Sequence, residues 1–576
     1  MIPPTPNPTY SFDSGTGNDK ISIGGNPADA NIAVSSTHIC LTARAAFACY
    51  TKGGTLVSPG PGFATRPYTA EEFFTNSGIP LNPTFNGTGT TTKDGRVIFD
   101  RYRKRFFMVF QSREAKGRLL IAVSKSEDPR DGWWTYADLV ANAQANTHDY
   151  QKIGYNASHL LISDNMANCV KKPDGTWNCK GVGTRHFMYT ANDLVVGKPY
   201  SRFEWSDSSA NGAAPCAHDS YTTDAFWVQR DDNTHVSVWA VRGANVTSKQ
   251  SRQVTIKTST DAVDGKELGG GTVGYTNIGR QPQNAQYRNG RIIWVSNDGQ
   301  TWAAQTSPNN AVRLVRLNVS KYFDVSSPSV TVEIDRIFGR ASADDPSGAI
   351  FDYGWPAAAT NDNGDIVVGS VRSNSTIYPE LRANVWFAGQ PDISSSVSLQ
   401  KSSSPLSQFH MAGAWADPNT DAIYVAQQYG SSSPSWRIHV AKMLGEVMPD
   451  VIATQVQPPA TIVHGASGNA KVTVMNQGDG PILASTGGLY LSTDNSISLL
   501  GPDIQEDPLL ASFAVPSLVP SQVVTLDVPF TIAATQAPGD YFVGVALYNS
   551  ANEYSETNNV NPFLVGNHGN APITVK

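Results

Sequence analysis

The sequence predicts an all-β chain, a seven-bladed β-propeller followed by an immunoglobulin-like β-sandwich, and three observations predict it. Gly (49) and Pro (36) are frequent among the 576 residues, while charged residues make up only 16%, below the roughly 25% of ordinary soluble proteins. A strand–turn–strand pattern recurs seven times before residue 447. Past that point the pattern changes to evenly spaced strands with no such hairpin.

The composition suits short strands joined by turns, since Gly, Asn and Asp tolerate positive φ and Pro cannot enter a central strand. The repeated segments begin at Asp29 (DANIAVSSTHICLTA), Asp94 (DGRVIFDRYRKRFFMVFQ), Tyr150 (YQKIGYNASHLLISD), Ala217 (AHDSYTTDAFWVQRDD), Pro282 (PQNAQYRNGRIIWVSND), Gly354 (GWPAAATNDNGDIVVGSVR) and His410 (HMAGAWADPNTDAIYVAQQY). Each is followed by further strands, such as GRLLIAVSKS, HVSVWAVRG and WRIHVAKML. One four-stranded sheet cannot bury both its faces alone, whereas seven packed around an axis bury all of them. The expected division is an extended segment over 1–28, the propeller over 29–446 and the sandwich over 447–576.

The second unit is carried by KVTVMNQG at 471–478, GLYLSTDNS at 488–496, VPSLVPSQVVTLDVPFTI at 515–532, PGDYFVGVALY at 538–548 and NEYSETNNV at 552–560. These stretches resemble the CARDB module, a bacterial cell-adhesion-related, immunoglobulin-like domain, over about 450–576. The resemblance implies an adhesive, spacer or accessory role. RVIFDRYRKRFFMVF, LLIAVSKSEDPRDGWWTY, NAQYRNGRIIW and WPAAATNDNGDIVVG are similar to a family of uncharacterised secreted bacterial propeller proteins, over roughly 30–446. That similarity implies fold and export and no particular activity.

Cysteine spacing points to the same compartment. Cys40 and Cys49 flank one tight hairpin and Cys169 and Cys179 another, so both pairs are expected as local disulfides of an oxidising environment. Four reduced core cysteines are the alternative, and Cys216 is left over. Met1 runs straight into Ile-Pro-Pro-Thr-Pro, which reads as a mature N-terminus whose export signal has been removed. The chain is therefore expected outside the cell. The absence of a run of 18 apolar residues argues against membrane insertion, and a net charge of −6 gives no electrostatic footprint for nucleic acid.

The leading positions of the inner strands are expected to converge on the axis: Asn31, Arg96, Gln151, Lys152, His218, Asp219, Gln283, Asn284, Trp355 and His410. Polar groups gathered around an aromatic in a concave site are what a small-ligand pocket needs. The competing reading is that they only hydrogen-bond between blades. Acid–base candidates are His218, Asp219, His148 and Tyr150, with Arg96 or Lys152 as the cation that would stabilise an enolate-like intermediate on a uronate. Trp177, at the tip of the second cysteine loop, is a candidate platform for stacking on a sugar. NDNGD at 361–365 and KPDGT at 172–176 are oxygen-rich enough for calcium, though each also reads as a hairpin turn. No other cofactor and no metal is expected.

Two readings follow. The first is a lectin-like or adhesive protein binding a polysaccharide or cell-surface glycan. The second is a secreted polysaccharide-degrading enzyme, a lyase before a glycoside hydrolase, with its site on the funnel. A structural subunit of an extracellular assembly, self-associating through the sandwich, is a third.

Overall fold

A computed structural model of the chain describes residues 2–14, 29–81, 92–114, 116–141, 147–174, 177–207, 212–243, 246–277, 279–302, 305–339, 350–405, 412–431, 436–497, 507–548, 553, 559–560, 563–564, 567–568 and 571–576. Among these residues it is all-β, with two short helices, Ala70–Asn76 and Ala191–Leu194. Among the described residues no helix is long and apolar enough to cross a membrane.

Among the described residues before 447, antiparallel meanders are numbered here as sheets 1–7 by their innermost strands: Asn31–Val34, Thr92–Asp100, Thr147–Tyr155, Ala214–His218, Ala285–Arg288, Asp352–Thr360 and Gly413–Ala416. Their central strands are buried on both faces, while outer ones such as Gln250–Thr255 are partly exposed. Arg105–Ser112 (RFFMVFQS) is buried from Phe106 onward, as expected of a sheet covered on both sides. Each innermost strand touches the next, and that of sheet 7 returns to that of sheet 1, a closed and propeller-like ring. Sheets 3, 4 and 5 are joined by parallel pairing, Tyr155 with Ala217 and Ala217 with Gln286. Two close approaches need glycine. A Cβ on Gly154 would meet Cys216 O at 2.3 Å, and one on Gly413 would meet Ile32 N at 2.6 Å.

Two features depart from expectation. Within the segment expected to be merely extended, Tyr10–Ser14 pairs antiparallel with Trp436–Met443 as the fourth strand of sheet 7. The ring is thus closed by its own N-terminal segment. The inner strand of sheet 4 starts at Ala214 instead of Ala217, which moves His218 from the strand's head to its end.

Past residue 447 a three-stranded sheet (Val451–Gln457, Ser467–Asn476, Val523–Thr531) accompanies a five-stranded one (Thr461–Ile462, Ala571–Val575, Gly539–Tyr548, Ser485–Ser492, Leu509–Val515). Alternating residues of both, including Ala470, Val472, Val474, Leu489, Leu491, Val543 and Val545, form a core of their own. Polar contacts tie this unit to the ring: Lys442 Nζ to Asp479 at 2.8 Å with both side chains wholly buried, Gly53 N–H to Gln477 O at 2.9 Å, and Arg130 Nη2 to Gln477 Oε1 at 3.3 Å.

Both cysteine pairs are bonded, Cys40 to Cys49 and Cys169 to Cys179, between residues directly opposite each other in their hairpins. Cys216 is a buried thiol, and burial pushes its ionisation well above the usual range.

Candidate functional site

A bulge recurs at the head of the inner strands. The register slips between Lys93 and Arg96, between Asp149 and Lys152, and between Gly354 and Ala357. In each bulge one residue takes positive φ: Asp94 (54°), Tyr150 (63°) and Trp355 (53°), with Asp29 (47°) at the same place before sheet 1. A left-handed conformation strains a non-glycine residue, most of all a bulky one. The bulge re-aims the side chains on either side of it.

Just past the bulges lies a cavity on the ring axis, lined by Asn31, Arg96, Lys152, Gln283, Asn284 and Gln286 among others, with Trp415 from sheet 7. About 40 Å³ of it is open to the centres of water-sized molecules, room for about three waters. Arg96 is 4% exposed. Its Nη1 donates to Gly95 O at 3.3 Å, and its Nη2 has no partner among the described residues. Lys152 Nζ donates to Gly212 O at 2.6 Å and Gln281 Oε1 at 3.2 Å. Burial, with Arg96 beside it, pushes this ammonium well below the usual lysine range. Both cations approach the Tyr150 ring, Arg96 Cζ at 5.0 Å and Lys152 Nζ at 5.4 Å from its centroid. The Tyr150 hydroxyl donates to Gln283 Oε1 at 2.9 Å. Burial pushes this phenol up, so at neutral pH it is a donor and not the base that the sequence allows.

Several of the expected residues fasten the ring. Asn31 Oδ1 accepts from Val97 N–H of sheet 2 at 3.0 Å. Gln151 Nε2 donates to Asp94 O. Asn284 exchanges bonds with the Ala358 backbone, Nδ2 to O at 2.5 Å and N–H to Oδ1 at 3.2 Å. Trp355 is wholly buried, its N–H donating to Asn297 Oδ1 at 2.8 Å, and it is not among the cavity's lining residues.

Other expectations are corrected. His218 lies outside the pocket: it is wholly buried, clustered with Phe226 and Tyr287, its ring centroid 5.8 and 4.7 Å from theirs and theirs 5.3 Å apart. Burial lowers it to about 3, so it is neutral and enclosed, and serves no acid–base step at the axis. Asp219, at the far end of the same strand, is held by Tyr155 Oη at 2.8 Å, by Arg288 Nη2 at 3.2 Å and by Gln286 Nε2. Arg101 reaches across that end, donating to Asp219 O at 3.4 Å and Pro418 O at 2.7 Å. Asp362 of the NDNGD turn pairs with Arg101 and Arg288, so cations already occupy its carboxylate. His148 is paired with Asp164, both side chains wholly buried. His410 and the side chain of Trp177 lie outside the described residues. Among the described residues no group of three or more His, Cys, Asp or Glu is placed to hold a metal.

Sequence reasoning does not single out two buried carboxylates that act on Arg96. Asp29, 3% exposed, is raised to about 8 by burial and by Asp94 near it. Asp94 is held low by Lys93 and Arg96, although burial opposes this. The signal was the Asp-x-(Asn/Arg) that opens the first two repeats.

No family model and no curated protein matches the chain. Among solved structures, the chain is similar to the CARDB domain of a Pyrococcus furiosus protein in complex with di-metal ions (18% identity, 22% of this chain and 90% of that one, TM-score 0.16). It is also similar to the GH93 α-L-arabinofuranosidase of Fusarium graminearum in complex with arabinobiose (12% identity, 63% and 96%, TM-score 0.34), and to the Trypanosoma rangeli sialidase in complex with the inhibitor DANA (8% identity, 78% and 81%, TM-score 0.29). Likeness at this level carries no functional argument.

Proposed function

We propose that this chain is an extracellular glycan-binding protein: a seven-bladed β-propeller over 29–446 whose axial pocket receives the acidic group of a carbohydrate, joined to a CARDB-like, immunoglobulin-like sandwich over 447–576. The observation that carries the reading is Arg96. The Asp94 carboxylate acts on this guanidinium from nearby, yet Arg96 is nine-tenths buried and its Nη2 has no hydrogen-bond partner among the described residues, a costly arrangement that an acceptor group entering the pocket relieves. A carboxylate does so with charge-assisted hydrogen bonds. The space open to water-sized molecules, about 40 Å³, admits a small polar group and not a whole sugar ring. The sugar ring then rests at the mouth, beside Tyr150. Two disulfides suit an oxidising compartment, and no cofactor is invoked.

The test is binding to a panel of immobilised acidic and neutral polysaccharides. Acidic polymers are expected to bind, and Arg96→Ala to weaken them about 10- to 100-fold, the worth of a hydrogen bond to a charged group. Equal binding of acidic and neutral polymers, or binding indifferent to Arg96→Ala, would sink the reading.

A further inference from the structure

We propose that Lys152 is a proton-abstracting amine, and that the axial pocket performs β-elimination on a 4-linked uronate whose carboxylate Arg96 holds. The proposal rests on the acidic-glycan reading above and adds a reaction to it.

Lys152 Nζ is buried in the cavity wall, and no carboxylate among the described residues pairs with it. Its contacts are two acceptors, Gly212 O and Gln281 Oε1. A neutral amine has two N–H bonds and one lone pair. Two acceptors use both N–H bonds and leave the lone pair available to the cavity. The groups facing it are Arg96 from sheet 2 and Tyr150 on its own strand. Ala214 of sheet 4 and Gln281 and Gln283 beside sheet 5 bring no charge. Asp29, Asp94 and Asp149 act on Tyr150, and Asp29 and Asp94 on Arg96, but none acts on Lys152, whose shift comes from burial and Arg96. A lysine desolvated beside another cation, without a counter-ion, favours its uncharged form. Tyr150 holds strained backbone (φ 63°) at the same place, and such strain collects where geometry serves function.

The step balances without a co-reactant. With the carboxylate on Arg96, the proton on the adjacent carbon, C5, is acidified. The Lys152 lone pair takes that proton, the C5–H electron pair becomes the C4–C5 double bond, and the C4–O4 bond breaks. O4 departs with a proton: from the Lys152 ammonium, which burial makes a good acid, where C5–H and O4 share a face of the ring, as in mannuronate, and from water, with Lys152 returning its proton to solvent, where they lie on opposite faces, as in galacturonate. The amine is regenerated, and one polymer becomes two, one of them ending in a 4,5-unsaturated uronate.

The experiment incubates the full chain with polygalacturonate, alginate and a neutral dextran, and follows unsaturated-uronate absorbance and binding on the same samples. A separate NMR titration of lysine-labelled protein follows Lys152 without any substrate. Unsaturated product is expected from a uronate polymer that binds, with a rate that rises as Lys152 loses its proton. Lys152→Met should lower the rate at least 100-fold with affinity changed less than about threefold, and Lys152→Arg should be equally inactive. Uronate binding that depends on Arg96 but yields no product overturns the elimination and leaves the binding reading standing. A Lys152 that titrates with the surface lysines overturns it too, even if Lys152→Met fails to fold. If no acidic polymer binds, both readings fall, starting with Arg96.

Discussion

His218 and His186 show how much a buried imidazole constrains the molecule. His186 is stacked on Trp205 at 4.9 Å with an interplanar angle of 19°, and burial lowers both histidines to about 3. The unfolded chain takes up these protons near pH 6.5, while the fold refuses them until about 3. Their stabilisation is therefore complete above pH 7 and is lost as pH falls, at up to about 1.4 kcal/mol per pH unit for each histidine. Urea unfolding at pH 7, 6 and 5 should show this loss, and His218→Phe, which keeps the stack, should flatten it. An unchanged acid slope in that variant would contradict the enclosed, neutral imidazole. The variant should also bind glycan normally, since His218 lies outside the pocket. The place of Arg96, Lys152 and Asn284 beside the axis was legible in the sequence, because each stands two residues past the start of its repeat, and all three line the cavity. The place of His218 was not, because Ala214-Pro-Cys lacks the polar head of the other repeats and the strand start is read three residues late. The fastening by Asn31, Gln151 and Asn284 was legible only as one of two options, since a polar residue at a strand head serves either a neighbour's backbone or a ligand.

At the scale of elements, the two cysteine hairpins carry the clearest expectation. Each disulfide closes a loop of sequence separation 9 or 10, which by chain entropy constrains the unfolded state by about 3 kcal/mol. Replacing Cys40 and Cys49 together by Ala should cost about that much in denaturant unfolding, because sheet 1 is buried on both sides there. The Cys169–Cys179 pair lies near the exposed tip of its hairpin, and its removal should leave the ring's transition cooperative. A larger loss from the second pair than from the first would reverse this ordering. These hairpins were readable because a turn between two cysteines constrains the register. The strand Tyr10–Ser14 was not, since it is five residues long, mixes polar with apolar, and joins its sheet through backbone pairing that leaves no side-chain period.

At the scale of the whole molecule, that N-terminal strand links closure of the ring to docking of the second unit. Phe12 packs on Tyr50 at 5.3 Å, and the Tyr10 hydroxyl donates to Gly53 O at 2.6 Å. The same Gly53 carbonyl accepts from Ser521 of the sandwich, while the Gly53 N–H donates to Gln477. One loop of sheet 1 therefore holds both the closing strand and the sandwich. Phe12→Ala should remove about 2 kcal/mol of partly buried apolar packing and lower the unfolding midpoint of the ring. Gly53→Ala is the sharper probe, because the added Cβ would meet Gly478 O at 2.5 Å, backbone against backbone, with no flexible side chain to yield. The docked arrangement should then open at a cost of about 1–3 kcal/mol. Small-angle scattering should report a longer particle, and proteolysis should cut near residue 447, while glycan binding at the axis persists. A scattering profile identical to that of the parent chain would mean that the buried Lys442–Asp479 pair holds the two units together without the Gly53 contact. In that event Lys442→Met, which takes the cation away from the buried Asp479 carboxylate, becomes the change that separates them.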